Sequence, residues 1–204
     1  MPSSTPGESY APSSRRNGYV RAMQAITARR RPGPVQVYVS ASARRLFASD
    51  WPLTLRKTSA ALPAGVMLDT FPEAFPGGRY QYQHRWQGYA ADLDGLVVFG
   101  TRTAEHTYLL GPGARQELRT VIGMGRPVLL HADSHGLVPV VDCRPERHLT
   151  DPRAQPCLEL TVPAAWNTGA PTLQAALQAL TPAPPLRSQD QWPSLHAPAS
   201  NAHP

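Results

Sequence analysis

The sequence predicts an α/β fold, a mostly parallel sheet with helices on both faces. Two observations carry this expectation. Short aliphatic runs, VQVYVS at 35–40, GLVVFG at 95–100 and PVLLH at 127–131, are bounded by Pro or Gly and hold few polar residues, as strands buried on both faces must. Between them lie longer stretches whose apolar residues recur at helical spacing, so that strand and helix alternate along the chain.

Taken in order, Val35–Ser40 reads as the first strand, entered from Pro34. Ala43–Leu62 is helix-like and broken at Pro52, with Ser49 or Asp50 as the N-cap of its second part. Gly65–Thr70 reads as a second strand, leaving through a loop with Pro72, Pro76, Gly77 and Gly78. A helix over Tyr80–Leu93, a strand over Gly95–Gly100, a helix over Ala114–Met124 and a strand over Pro127–His131 complete the pattern. Two weaker runs, Leu137–Asp142 and Leu158–Val162, extend the sheet or form an added hairpin. Right-handed crossovers then give a three-layer, flavodoxin- or Rossmann-like arrangement.

The ends differ in composition. Residues 1–34 are rich in Ser, Pro and Arg, and the tail 181–204 is Pro-rich; both are expected to be disordered around an α/β domain at 35–180, apart from a short helix at Tyr19–Ala28. The arm holds six arginines against Glu8, a charge of +5, which leaves +1 for the rest of a +6 chain. A basic pI thus describes the arm, and weak, salt-sensitive nucleic-acid contact is expected only through residues 15–31. Two cysteines, Cys143 and Cys157, exclude a disulfide framework, and no run reaches the ~20 apolar residues of a membrane span. The expectation is a soluble, cytoplasmic protein with no membrane contact.

Parallel α/β sheets bind ligands at the carboxyl ends of their strands. Three segments meet that edge: Ser40-Ala-Ser42-Ala-Arg44, Gly111-Pro-Gly113-Ala-Arg-Gln-Glu117 and His131-Ala-Asp133-Ser-His135. Glycines before a helix let backbone N–H groups approach an anion, and Arg44 adds a charge-assisted phosphate contact. Glu117, one turn into its helix, faces the same crevice. His131, Asp133 and His135 invite a metal reading, but Ser134 and Gly136 point to a turn, so no metal is expected. Trp51, Tyr82 and Trp86 are aromatic groups available to stack on a base, although helical spacing more often marks core.

Gly113-x-x-x-Glu117 followed by Gly125-Arg126-Pro127-Val128 resembles the nucleoside 2-deoxyribosyltransferase-like superfamily, with Arg126 where the family has lysine. Tyr38-Val-Ser-Ala-Ser42-Ala-Arg44 resembles the opening segment of its deoxynucleoside-monophosphate N-glycosidase branch, in which the Ser and Arg contact the 5′-phosphate. Gly111-x-Gly113-Ala-x-x-Glu117 is also similar to a motif of the cytokinin-activating phosphoribohydrolases. Both resemblances imply cleavage or transfer of an N-glycosidic bond of a nucleoside or nucleotide, without a cofactor. They imply Glu117 as the nucleophile at the sugar carbon and Tyr38, Ser42, Arg44, Gly111, Gly113 and Asp94 as ligand-contacting residues, to which the strand-end rule adds His131. They also imply a homo-oligomer in which neighbouring subunits complete the site. The family's second acid falls at Trp86; His84, Asp92, Glu105 and Asp69 are the candidates to replace it. Two other functions compete with the enzyme: a non-catalytic nucleotide-binding sensor or accessory protein, and a nucleic-acid-associated protein using the arm.

Overall fold

The computed structural model describes residues 12–30, 32–147 and 157–184. In chain order its elements are α1 (Pro12–Arg29), β1 (Val35–Ser40), α2 (Ala43–Leu46), α3 (Trp51–Ala60), β2 (Val66–Thr70), α4 (Phe71–Ala74), α5 (Gly78–Asp92) and β3 (Gly95–Phe99). There follow β4 (Thr101–Ala104), β5 (Thr107–Leu110), α6 (Pro112–Gly123), β6 (Val128–Ala132), β7 (Gly136–Pro139), a 3-10 turn at Val140–Asp142, β8 (Arg144–Arg147), β9 (Leu158–Thr161) and α7 (Pro171–Ala179).

The main sheet has the order β2-β1-β3-β6-β7. Its first four strands are parallel and β7 returns antiparallel beside β6, so the run at Leu137 extends the sheet. Helices cover both faces. Tyr38, Leu96, Val98, Val128 and Leu130 pack against Trp86, Ala90, Leu118 and Val121 of α5 and α6. The alternate residues Val37, Val39, Val97 and Leu129 pack against Trp51 of α3 and Leu173 and Ala176 of α7. Every residue of β3 is buried, which is why its run lacks polar side chains.

Three departures from the sequence expectation have physical causes. Residues 101–110 form a hairpin, β4–β5, which joins β9 and β8 in a second, antiparallel sheet. Its turn carries His106 at φ 62° rather than glycine, so the usual hairpin signature is missing. Pro171–Ala179 is a helix that closes the second face, with Leu173, Ala176 and Leu180 turned inward. The arm expected to be disordered through residue 34 instead contains α1, longer than the Tyr19–Ala28 helix, and α1 lies on α7. Met23, 2% exposed, packs on Ala175 and Ala179, and Arg30 donates to the Ala179 carbonyl. The arm buries too little by itself, and the apolar outer side of α7 supplies what it lacks. α1 therefore belongs to the folded unit. Residues 1–11, Arg31, 148–156 and most of the Pro-rich tail lie outside the described residues.

The 43–62 stretch is indeed divided, into α2 and α3, with Pro52 in the first turn of α3 and Asp50 at its N-cap position. The Asp50 carboxylate makes no cap; it takes two bonds from the Arg45 guanidinium at 2.8 and 2.9 Å.

Candidate functional site

The chain passes from β1 to β2 on one side and places β3 on the other, so the sheet's switch point lies between β1 and β3. Open α/β sheets take their ligands at the carboxyl ends of the strands at such a point. Ser40 ends β1 there, and alternation puts Tyr38 and Ser40 on the face covered by α5 and α6.

α6 brings Glu117 onto this place. The helix starts with Pro112 at its first turn, and Gly111 at the N-cap has no side chain to bond the first N–H groups. A Cβ on Gly113 would meet nothing within 4 Å, so this glycine is not required by packing. Glu117 is 5% exposed. Burial raises its carboxyl from the ordinary 4.5 to about 7, while the hydroxyls of Ser40 and Tyr82 partly oppose this by favouring the ionised form. The Tyr82 hydroxyl is buried beside the carboxyl but outside strict hydrogen-bond geometry, so its influence is weaker than a formed bond. Among the described residues no cation acts on Glu117. Tyr38 is likewise shifted upward by burial and then by the charge of Glu117.

Aromatic rings back this carboxyl. Tyr38 contacts Trp86 at 5.4 Å and Phe75 at 6.2 Å between centroids, and Tyr82 contacts Phe75 at 5.2 Å and Trp86 at 5.6 Å. Trp86, at the position where the resembled family has an acid, is buried and donates its indole N–H to the Thr120 hydroxyl of α6 at 3.4 Å. It ties α5 to α6 one turn beyond Glu117.

The residues expected at the site separate into groups. Glu117 and Tyr38 come together, with Gly111 and Gly113 at the start of the same helix as Glu117. Ser42 and Arg44 follow β1 on the same edge and are exposed; Ser42 caps α2 by accepting the Arg45 N–H at 3.3 Å. His131 is at the same edge but on the other face, stacked on Phe99 at 4.5 Å, with its basicity lowered by burial. Asp94 is at the opposite edge. Its carboxylate accepts the Gln36 N–H at 2.9 Å and pairs with Arg30 at 3.3 Å, which fastens the start of β1 to the start of β3. The candidates to replace the missing acid do not act on Glu117 either. Asp69 holds Gln36 and the Tyr89 hydroxyl, His84 bonds the Tyr80 carbonyl at 2.9 Å, and Asp92 and Glu105 are exposed. Sequence reasoning placed Ser40 at this edge but gave it no role; its position as the last residue of a buried strand was the available signal.

Gly125-Arg-Pro-Val is accounted for by folding. Gly125, at φ 73°, ends α6 with its N–H on Ile122 and the Arg126 N–H on Val121, and Pro127 then stops the helix. Gly100 is also a packing glycine: a Cβ there would come within 2.8 Å of the Tyr108 Cβ, because the hairpin folds back over the end of β3.

Among the described residues no group of three or more His, Cys, Asp or Glu gathers to hold a metal ion, and no helix is long and apolar enough to cross a membrane. Compared with protein-family models, curated proteins and solved structures, the chain matches none.

Proposed function

We propose that the β1–β3 crevice takes a nucleoside or nucleotide and that Glu117 performs N-glycosidic bond cleavage or glycosyl transfer on it. The observation that carries this reading is a buried carboxyl at the switch point, poised to titrate at about 7. Such a group exists in both forms near neutrality. Its ionised form attacks the anomeric carbon as the C–N bond breaks, the departing base takes its proton from solvent water, and a second water or base then displaces Glu117 from the sugar. The Ser40 and Tyr82 hydroxyls stabilise the ionised form, the exposed Arg44 stands on the same edge for a 5′-phosphate, and the uncapped start of α6 favours an anion.

The test is incubation of the full chain with nucleosides, nucleoside monophosphates and NAD, with free base read by chromatography. Base release that disappears in Glu117→Gln, with the fold retained, supports the reading; release unchanged in that variant refutes it.

A second reading, a nucleotide-binding sensor without turnover, is favoured by Trp86, which fills the second acid's place with a buried indole. Tight nucleotide binding with no base released would select it. Nucleic-acid association through the arm has less support, because Arg16 and Arg30 are engaged with Asp142 and Asp94.

A further inference from the structure

A second buried carboxylate lies far along the chain from Glu117. Asp142 ends the 3-10 turn after β7, and its side chain is 2% exposed. Its Oδ2 accepts the Trp166 indole N–H at 3.2 Å and the Thr172 hydroxyl. Its Oδ1 accepts no hydrogen bond. Arg16 of α1 brings its Nε to 3.1 Å from Oδ1, an ion pair without hydrogen-bond alignment, from a side chain that is 52% exposed. The hydroxyl of Tyr19, shifted upward by burial and by the charge of Asp142, is also buried without a partner.

Asp142 lines a cleft of about 650 Å³ between α1, the 163–171 segment and the start of α7. Val20, Pro163, Ala165, Trp166 and Pro171 form its mainly apolar walls, and Asn17 and Asn167 stand at its rim. This volume lies within the range of small-molecule sites. A carboxylate taken out of water is costly unless paired and fully hydrogen-bonded. Here one oxygen is satisfied, while the other is closed off from water without a hydrogen bond, beside a half-solvated arginine whose outward movement would open it to the cleft.

We propose that this cleft binds a small organic cation, a primary ammonium on an apolar or aromatic body, with the ammonium donating to Asp142 Oδ1. The ammonium supplies the charge-assisted hydrogen bond that Arg16 fails to make. Trp166 and the other apolar walls of the cleft take the body of the ligand. Arg16 moves outward into water, where half of it already is. An anion is rejected by Asp142, and a neutral analogue of the same shape gains only the apolar contacts.

The test is calorimetric titration of the full chain with 2-phenylethylammonium, 2-phenylethanol and 3-phenylpropionate. The expected result is binding of the ammonium at about 1 mM or tighter, with the alcohol weaker by about tenfold or more and the carboxylate not bound. Asp142→Asn should weaken the ammonium by about tenfold or more, and Arg16→Ala should strengthen it. Asn17→Trp fills the rim from an exposed position and should abolish binding with the core untouched; it decides the matter if Asp142→Asn does not fold. Equal binding of alcohol and ammonium overturns the proposal. So does ammonium binding that survives Asn17→Trp, or no ammonium binding to the unaltered chain at several millimolar.

Discussion

Glu117 and Asp142 are both carboxyls withdrawn from water, yet their surroundings give them opposite characters. Glu117 has two hydroxyls and a wall of aromatic rings but, among the described residues, no cation, and burial lifts it to about 7. Asp142 has an arginine, an indole N–H and a threonine hydroxyl around it. A carboxyl denied a cation keeps its proton up to neutrality and is suited to chemistry. Asp142, with donors on Oδ2 and the Arg16 charge beside Oδ1, holds together α1, the 163–171 segment and α7.

The largest effect expected from this contrast is on turnover. Glu117→Ala or Glu117→Gln should reduce base release by about 100-fold or more, since the proposed function puts the group directly at the reacting bond. Asp142→Asn should leave the rate of base release within a few-fold of the original. Chromatographic rates for these variants on one substrate check this, and a loss as large in Asp142→Asn would erase the distinction between the two poles.

The next effect is on stability against pH. Glu117 binds its proton more tightly folded than unfolded, so the folded state carries extra protons between 4.5 and about 7. The contribution is full below the unfolded value and is lost as pH rises through the folded one. That span corresponds to roughly 3 kcal/mol. Urea unfolding of the original chain and of Glu117→Gln, measured from pH 4.5 to 8, should show the original losing about that much relative to the variant as pH rises. A difference independent of pH would mean that Glu117 is not desolvated.

The contrast also explains what could be read from the sequence. β1, β3, α5 and α6 were legible because both-face burial and helical spacing leave a local mark, and the sheet edge that bears Glu117 followed from them. The facing of individual residues was not legible. His131 is one strand over from β3 at the same edge, but its place in β6 turns it to the α3 face, and Asp94 starts its strand rather than ending it. The Asp142 pole depends on contacts between Arg16, Asp142, Trp166 and Thr172, which the sequence separates widely and no local pattern joins. The same holds for α1, whose apolar positions make sense only once α7 is beside it.

The docking of α1 gives a prediction of intermediate size. Met23→Ala removes the side chain that fills the gap above Ala175 and Ala179 and should cost about 2 kcal/mol. Hydrogen exchange should quicken in α1 while amides of β1 and β3 stay protected. Uniform quickening would make α1 part of the cooperative core, and no change would mean that Met23 does not hold it.

The smallest effect separates two roles at the loop after β1. Ser42 caps α2 through the Arg45 N–H, whereas the exposed Arg44 makes no such bond. Ser42→Ala should cost about 1 kcal/mol of stability, as removal of a cap does. Arg44→Ala should leave stability unchanged and weaken a nucleoside monophosphate while sparing the nucleoside, because only the phosphate calls for its charge. Binding of the two ligands to each variant, set beside the unfolding midpoints, checks the pair. If Arg44→Ala weakened nucleoside and monophosphate alike, the phosphate would not lie at the end of β1, and the start of α6 would be the place left for it.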